Sequence, residues 1–469
     1  MDHILYVVEN INSFIYDNFL SIAMLIMLIS AGLFLSFATR FLQFRKFLYT
    51  IKNTVGSLFS KNQHSKDDGS VSPFQAVTTA LAGTIGTGSI AGLATALVAG
   101  GPGAVFWMWV SALLGMVTKY SEILLSIKYR ERNSDGNYVG GPMYYIKNGL
   151  GNKWLAALFA VFAMIACLGT GNATQSNSIA DVMNKTFGVP IVITGIVLVL
   201  LVAAVILGGV KRIASVNEKL VPFMAIFFII SAIIALIFRV DRIPYAFELI
   251  FKEAFNFKSA FGGVLGYGIV SAMRMGIGRG VFSNEAGLGS APIAHAASST
   301  KDPVKQGLWG MFEVFITTIV ICTLSALVVL TSDAYTVSST QYLMTGTAAV
   351  NGASLSGAAF DEALPFVGGI GVAISTVFFS LSTILGWAYY GEVCAGYLFK
   401  KRQKKAILIY RIIYIIFVFL GTTVNLQVIW GVADTMNALM AVPNLIGVIG
   451  LYKVVKNLTK EHFEHKTDI

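Results

Sequence analysis

The chain has 469 residues, of which 55% are hydrophobic and only 12% charged, with a net charge of +10; its mean hydropathy is +0.72. Soluble domains carry about twice that charged fraction, so too little polar surface remains to cover a water-facing fold. The composition excludes an ordinary soluble enzyme and predicts an all-α polytopic membrane protein.

Residues 1–17 contain Asp2, Glu9 and Asp17 but no Lys or Arg, so they lack the basic start of a secretory signal. Beyond them, runs of about 20 apolar residues, the length that crosses the hydrocarbon core, fall near 18–39, 72–99, 103–128, 155–177, 189–209, 219–238, 261–297, 306–331, 366–399, 407–427 and 430–452. Eleven spans are expected, the seventh and ninth unusually long. Every second connection is basic: 40–71 (with Arg40, Arg45 and Lys46), 128–154, the segment around Lys211 and Arg212, that around Lys301 and Lys305, 400–405, and the tail with Lys453, Lys456 and Lys460. The alternate connections 100–102 and 332–364 carry no Lys or Arg, and in 239–259 four cations are offset by Asp241, Glu248 and Glu253. Because basic loops stay in the cytoplasm, the N-terminus is expected outside a cell membrane and the C-terminus inside. That accounts for the basic excess without nucleic acid. Cys167, Cys322 and Cys394 lie in apolar runs without ligand spacing and read as packing residues.

Two spans do not read as plain membrane helix. The segment 78–92 holds Gly83, Gly86, Gly88 and Gly92 interleaved with Thr84, Thr87 and Ser89, and 273–289 holds Gly276, Gly278 and Gly280 around Arg279. Small residues in a membrane helix often only permit close packing, but these glycines are denser than one packing face needs. Each segment is therefore expected to contain an unwound break. Irregular backbone at that depth is tolerated only where it is buried in protein or lines a cavity. A break exposes N–H groups that suit a carboxylate and C=O groups that suit an ammonium or a small cation. Ile85–Ile90 aligns with Ile277–Phe282 at an offset of 192 residues, and each begins a group of five spans. Five is odd, so the second group is inverted, as in secondary transporters whose glycine-interrupted spans hold the binding site. The expected divisions are 1–71 (extra helix and basic loop), 72–240 (first repeat), 241–259 (connection), 260–452 (second repeat) and 453–469 (tail).

Among charges in the spans, Lys119 and Glu122 read as a local i, i+3 pair near the interface. Arg274, Arg279 and Glu285 read as gate or scaffold pairs, and Glu313 and Glu392 as protonation sites only if coupling is to H⁺. His295 reads as solvated or packed, and Asn425 and Asp434 call for no special role. An intramembrane metalloprotease would need His-Glu-x-x-His, and an ATP-driven pump a P-loop; neither occurs. A passive channel remains a minor alternative.

The motifs Ala82–Gly92, Gly100–Trp109, Gly140–Ile146, Gly278–Pro292 and Thr383–Glu392 follow one another along nearly the whole chain. In them the chain resembles the alanine or glycine:cation symporter family of sodium-coupled amino-acid carriers. The resemblance implies a leucine-transporter-like fold of ten core helices in a 5+5 inverted repeat, preceded by one extra helix. It implies no enzyme activity and no cofactor beyond Na⁺ as coupling ion; the partners are a small neutral amino acid and membrane lipid. Amides around Gly86, Thr87 and Gly88, flanked by Thr84 and Ser89, would meet the substrate carboxylate. Carbonyls near Met275 and Gly276 would meet its ammonium, Gln175 would be the pocket glutamine, and Met275 and Trp387 would shape the side-chain space. For sodium, carbonyls of Ala82, Ile85 and Phe379 would combine with hydroxyls of Ser382 and Thr383, an all-oxygen shell suited to a hard cation. The family commonly has Asn after Gly-Thr-Gly, where this chain has Ser89; the shorter side chain predicts a roomier pocket, with serine or glutamine as candidate substrates beside alanine and glycine. Coupling to protons is the alternative within the same fold.

Overall fold

The computed structural model describes residues 21–58, 71–255, 268–423 and 426–464. Segment 1–17, Lys61, Lys66, Lys258, the start of the seventh run at 261–267, and Asn425 lie outside them. The described chain is almost entirely helical: α1 (Ser21–Ala38), α2 (Pro73–Thr84), α3 (Ala91–Gly100), α4 (Gly103–Tyr129), α5 (Lys153–Phe187), α6 (Ile191–Ile206), α7 (Gly209–Ile237), α8 (Ile269–Asn284), α9 (Ala291–Ala296), α10 (Pro303–Leu330), α11 (Gly368–Leu398), α12 (Gln403–Thr423), α13 (Leu426–Gly450) and α14 (Tyr452–Glu464), with shorter helices between. A two-residue hairpin of β1 (Glu131–Arg132) and β2 (Tyr138–Val139) pairs antiparallel, with Glu131 opposite Val139.

Each of the eleven apolar runs contains a helix. Among the described residues six helices are long and apolar enough to cross a membrane alone, and up to eight if bent pairs count as single spans. That count stands below eleven for physical reasons. The described part of α1 and the whole of α6 are short, and α8 has only 16 residues and carries Arg274 and Arg279.

Local chemistry explains where the second run starts and bends. Ser72 caps α2 by accepting from the Gln75 amide at 3.1 Å, while Gln75 reaches back to the Ser72 amide and Pro73 opens the helix. The helix stops at Thr84, Gly86 is fully extended (φ −117°, ψ −162°), and a single 3₁₀ turn at Thr87–Ser89 leads into α3 at 58° to α2. Two more helices carry a π segment, at Gly169–Ala173 in α5 and Phe315–Cys322 in α10.

Of the long helices α4 is the most enclosed, packing along α8 and α10; α1 lies against α4 and α13, and α12 against α6 and α11. Buried apolar side chains form two clusters. Ala82, Ile85 and Ile90 belong to one and Ile384, Trp387 and Ala286 to the other, so the bend between α2 and α3 sits at their seam. Val71, just before α2, bridges Ser298, just after α9, and Arg130 crosslinks this edge by donating to the carbonyls of Ala296, Ser298 and Thr300. Nearby, Glu131 is partly buried, which alone would raise its pKa. Hydrogen bonds from Lys147, Asn148 and Lys400 outweigh that and pull it down to about 2.

The close approach of α8 to α4 is made by glycine. A Cβ on Gly276 of α8 would lie 2.2 Å from the Ala104 carbonyl oxygen and 2.8 Å from Trp107 Cβ of α4, whereas Gly278 has nothing within 4 Å. Gly276→Ala is expected to lower thermal stability in detergent by about 1–3 kcal/mol through overpacking, while Gly278→Ala does not lower it. Equal unfolding midpoints for the two variants would contradict this packing.

Candidate functional site

The residues expected to hold sodium come together across two helices. Thr383 Oγ1 of α11 donates to the carbonyls of Ala82 at 3.0 Å and Phe379 at 2.9 Å; Ser382 Oγ does so at 3.4 and 2.8 Å. Ile85 caps the end of α2 beside Gly86, and a Cβ on Gly86 would lie 2.7 Å from Thr383 Oγ1. All these residues are buried. Two hydroxyls and two carbonyls thus converge where α2 has run out of helical partners, an oxygen-only donor set of the kind hard cations take.

Most of the residues expected around the substrate gather at the same bend. The Thr87 amide donates to Gln175 Oε1 over a long 3.4 Å, and Gln175 Nε2 is anchored on the Thr170 carbonyl at 3.1 Å in the π segment of α5. Thr84 turns its hydroxyl back onto the Ala80 and Leu81 carbonyls, so it serves its own helix. Gly88 is covered by the Phe282 ring, 2.8 Å from where a Cβ would be. Ser89 Oγ meets Ser283 Oγ at 3.1 Å, which in turn meets Cys322 Sγ at 3.3 Å, a row joining α8 and α10 to the bend. Trp387 is fully buried, and its indole N–H is shared between the Gly83 carbonyl at 3.3 Å and Glu285 Oε1 at 2.9 Å. The hydroxyls of Thr87, Thr170 and Tyr390 are buried without a hydrogen-bond partner, and Tyr390 lies against Gly83. Buried polar groups are nearly always paired, so these three orphan hydroxyls around one helix break are groups that a polar ligand could satisfy.

The second break is not where the glycines suggested. The helix α8 continues unbroken through Gly276, Gly278 and Gly280 to Asn284, and the chain unwinds only at 285–290. There Glu285 has φ +55°, and Gly287 and Gly289 have φ +89° and +79°. The two breaks are therefore 200 residues apart rather than 192. Gly276 and Gly280 serve close packing on α4; a Cβ on Gly280 would lie 3.2 Å from both Met108 and Ser111. Met275 packs its Cβ against Gly100 instead of the bend. The carbonyls of Met275 and Gly276 lie inside a continuous helix, where the backbone ladder uses them, so the structure does not bring this pair to the site. The sequence carried a better marker in Glu285–Pro292, where two glycines are followed by a proline in the first turn of α9.

Charges flank the second break. Lys119 and Glu122 do not pair with each other. Lys119, fully buried, donates to the Asn284 carbonyl at 2.8 Å and forms an ion pair with Glu313 Oε2 at 3.1 Å; Glu122 accepts from Asn444. Asn444 of α13, which sequence reasoning missed, also holds the Gly287 carbonyl at 2.8 Å and accepts from Tyr145. Glu285 accepts from Ser290 as well as Trp387. His295 is fully buried. Ser298 donates to Gln306 Oε1, so the Gln306 amide nitrogen faces His295 Nδ1 at 2.8 Å and the ring proton sits on Nε2, donating to Glu313 at 2.6 Å. Arg411, also missed, holds Glu392 in a bidentate pair at 2.7 and 2.7 Å. Arg279 stacks over the Phe282 ring at 5.8 Å. Lys119→Met would strip Glu313 of its cation and Asn284 of its donor. A stability loss of about 3–5 kcal/mol is expected, partly recovered when Glu313→Gln is added; thermal unfolding of both variants checks this, and an unchanged midpoint for the single variant would refute it.

The profile of the sodium:alanine symporter family matches residues 1–468. The chain is 45% identical to the sodium/alanine symporter AgcS of Methanococcus maripaludis, over 97% of this chain and 96% of that protein. It is 35% identical to a probable sodium/glutamine symporter, GlnT, of Bacillus subtilis, over 98% and 92%. Among solved structures it resembles that of MhsT in complex with L-phenylalanine, with a TM-score of 0.59, 11% identity, and 82% of this chain and 90% of that one covered. That likeness supports the leucine-transporter-like fold. A transporter rather than an enzyme, this chain belongs to the sodium:alanine symporter family.

Proposed function

We propose that the protein imports a small neutral amino acid across the cell membrane by sodium symport, through alternating access. The observation that carries this is the meeting of the Ala82 and Phe379 carbonyls with the Ser382 and Thr383 hydroxyls at the mouth of a glycine-broken helix. Sodium, bound by this set together with the Ile85 carbonyl, would tie α11 to the bend. The substrate carboxylate would take the amides of Gly86–Gly88, replacing the long Thr87–Gln175 bond with charge-assisted ones. The carbonyl end of α8 is already taken by the Lys119 ammonium, so the amino group would lie on the first break's side of the pocket, with Gln175 and Trp387 closing the sides. The eleven spans form an extra helix and two inverted repeats, 72–240 and 260–452, with the N-terminus outside and the basic loops in the cytoplasm.

The driving force suffices. Moving one positive charge through 100 mV is worth about 2.3 kcal/mol, roughly fifty-fold accumulation before the sodium gradient is added. Proton coupling is not favoured: Glu392 is held by Arg411, and Glu313 by Lys119 and His295. Uptake of labelled alanine into proteoliposomes at constant pH should require sodium and vanish when choline replaces it. Thr383→Ala should cut uptake at low sodium at least tenfold and recover partly at high sodium. Sodium-independent uptake by the unaltered protein would overturn the proposal.

The preferred amino acid is proposed from the alanine, glycine, serine and glutamine set. Glutamine is supported by the name of the Bacillus subtilis relative and by the shorter Ser89 standing where the family commonly has Asn. Ser89→Asn should weaken competition by glutamine severalfold and leave competition by alanine nearly intact. An unchanged substrate ranking would remove Ser89 from the account of specificity.

A further inference from the structure

The corner between α11 and α12 carries the densest basic run of the chain, Lys400, Lys401, Arg402, Lys404 and Lys405. Two of these cations are engaged: Lys400 pairs with Glu131 at 3.2 Å and Lys404 with Asp135 at 2.9 Å. Arg402 and Lys405 are exposed and have no carboxylate partner among the described residues. Both line a groove of about 510 Å³ between α5 and the α11–α12 corner. Behind them its wall is apolar, formed chiefly by Met164, Leu168, Phe399, Ala406, Ile409 and Ile413. From Lys405 to Ile413 the helix rises about 12 Å, so the groove runs from the basic edge well into the depth of the spans.

We propose that this groove is a binding site for an anionic phospholipid, its acidic head group on Arg402 and Lys405 and one acyl chain along the wall beneath. Charge and shape select that occupant together. Free phosphate would use the two cations and gain nothing from the apolar wall. A zwitterionic lipid would fill the wall but bring its own cation towards Arg402 and Lys405. Basic pockets between membrane helices on the side of the basic loops hold acidic head groups on these physical grounds. The proposal rests on α5 and α12 crossing the membrane, and not on the transported substrate. It also gives the basic run a division of labour: Lys400 and Lys404 fasten the β1–β2 hairpin, and Arg402 and Lys405 face the lipid.

The test is native mass spectrometry of the full chain in detergent, titrated separately with phosphatidylglycerol and phosphatidylcholine. One tightly held phosphatidylglycerol is expected, with phosphatidylcholine at least tenfold weaker. At about 1 kcal/mol per surface cation, the Arg402→Ala, Lys405→Ala double variant should bind phosphatidylglycerol about thirtyfold more weakly, while Lys401→Ala, whose side chain does not line the groove, binds as before. Ala406→Trp keeps both cations and fills the wall, and should also lose the lipid. Equal binding of the two lipids, unchanged binding by Ala406→Trp, or displacement by millimolar inorganic phosphate would each overturn the proposal. All of these readouts are of binding, so a failure here is distinguishable from a failure of sodium-driven uptake.

Discussion

A broken helix inside a membrane protein must find partners for its backbone within the protein, because the bilayer core supplies none. Much of the interior can be understood from that constraint. At the first break the end of α2 hands its Ala82 and Gly83 carbonyls to Thr383, Ser382 and Trp387 of α11, and the Thr87 amide to Gln175 of α5. At the second, the Asn284 carbonyl goes to Lys119 of α4 and the Gly287 carbonyl to Asn444 of α13. Four scaffold helices thus exist, in part, to complete two interrupted ones. The partners differ in kind. Hydroxyls and an indole take the carbonyls of the first break and leave them able to share themselves with a cation. A lysine and a buried carboxamide serve the second and fix it.

The charges follow from the same constraint. An ammonium placed to satisfy a buried carbonyl has itself to be compensated, and Lys119 brings in Glu313, which brings in His295, Gln306 and Ser298. Such a network is strongly destabilising when half-made and tolerable when complete. It also draws α4, the second break, α9 and α10 into one hydrogen-bonded unit. Any rearrangement of these helices would then have to carry this unit as a rigid piece.

Sequence made the membrane class, the eleven apolar runs, the first break and the meeting of Ala82, Phe379, Ser382 and Thr383 legible, because each rests on local composition or on a long ordered motif. The second break was misplaced by eight residues. Glycine density marks both unwound backbone and close helix contact, and only the partner helix decides which. For Gly276 and Gly280 it was the surface of α4. The local Lys119–Glu122 pair failed for a similar reason: i, i+3 spacing says that two side chains can meet, not that better partners are absent. Asn444 and Arg411 were invisible because their meaning lies in contacts more than three hundred and nearly twenty residues away, with Glu122 and Glu392 respectively.

Trp387 occupies its place on a condition set elsewhere. A Cβ on Gly171, in the π segment of α5, would fall 2.2 Å from the Trp387 side chain. The indole that joins the two breaks is thus admitted by a missing methyl group on another helix. The atoms it would meet are the Trp387 Cβ and Cγ, which every aromatic residue shares, so the constraint comes from how closely α11 approaches α5 and not from the size of the ring. A lineage could trade the indole for a smaller ring and still inherit the glycine, whereas a side chain at 171 would have to wait for the two helices to part.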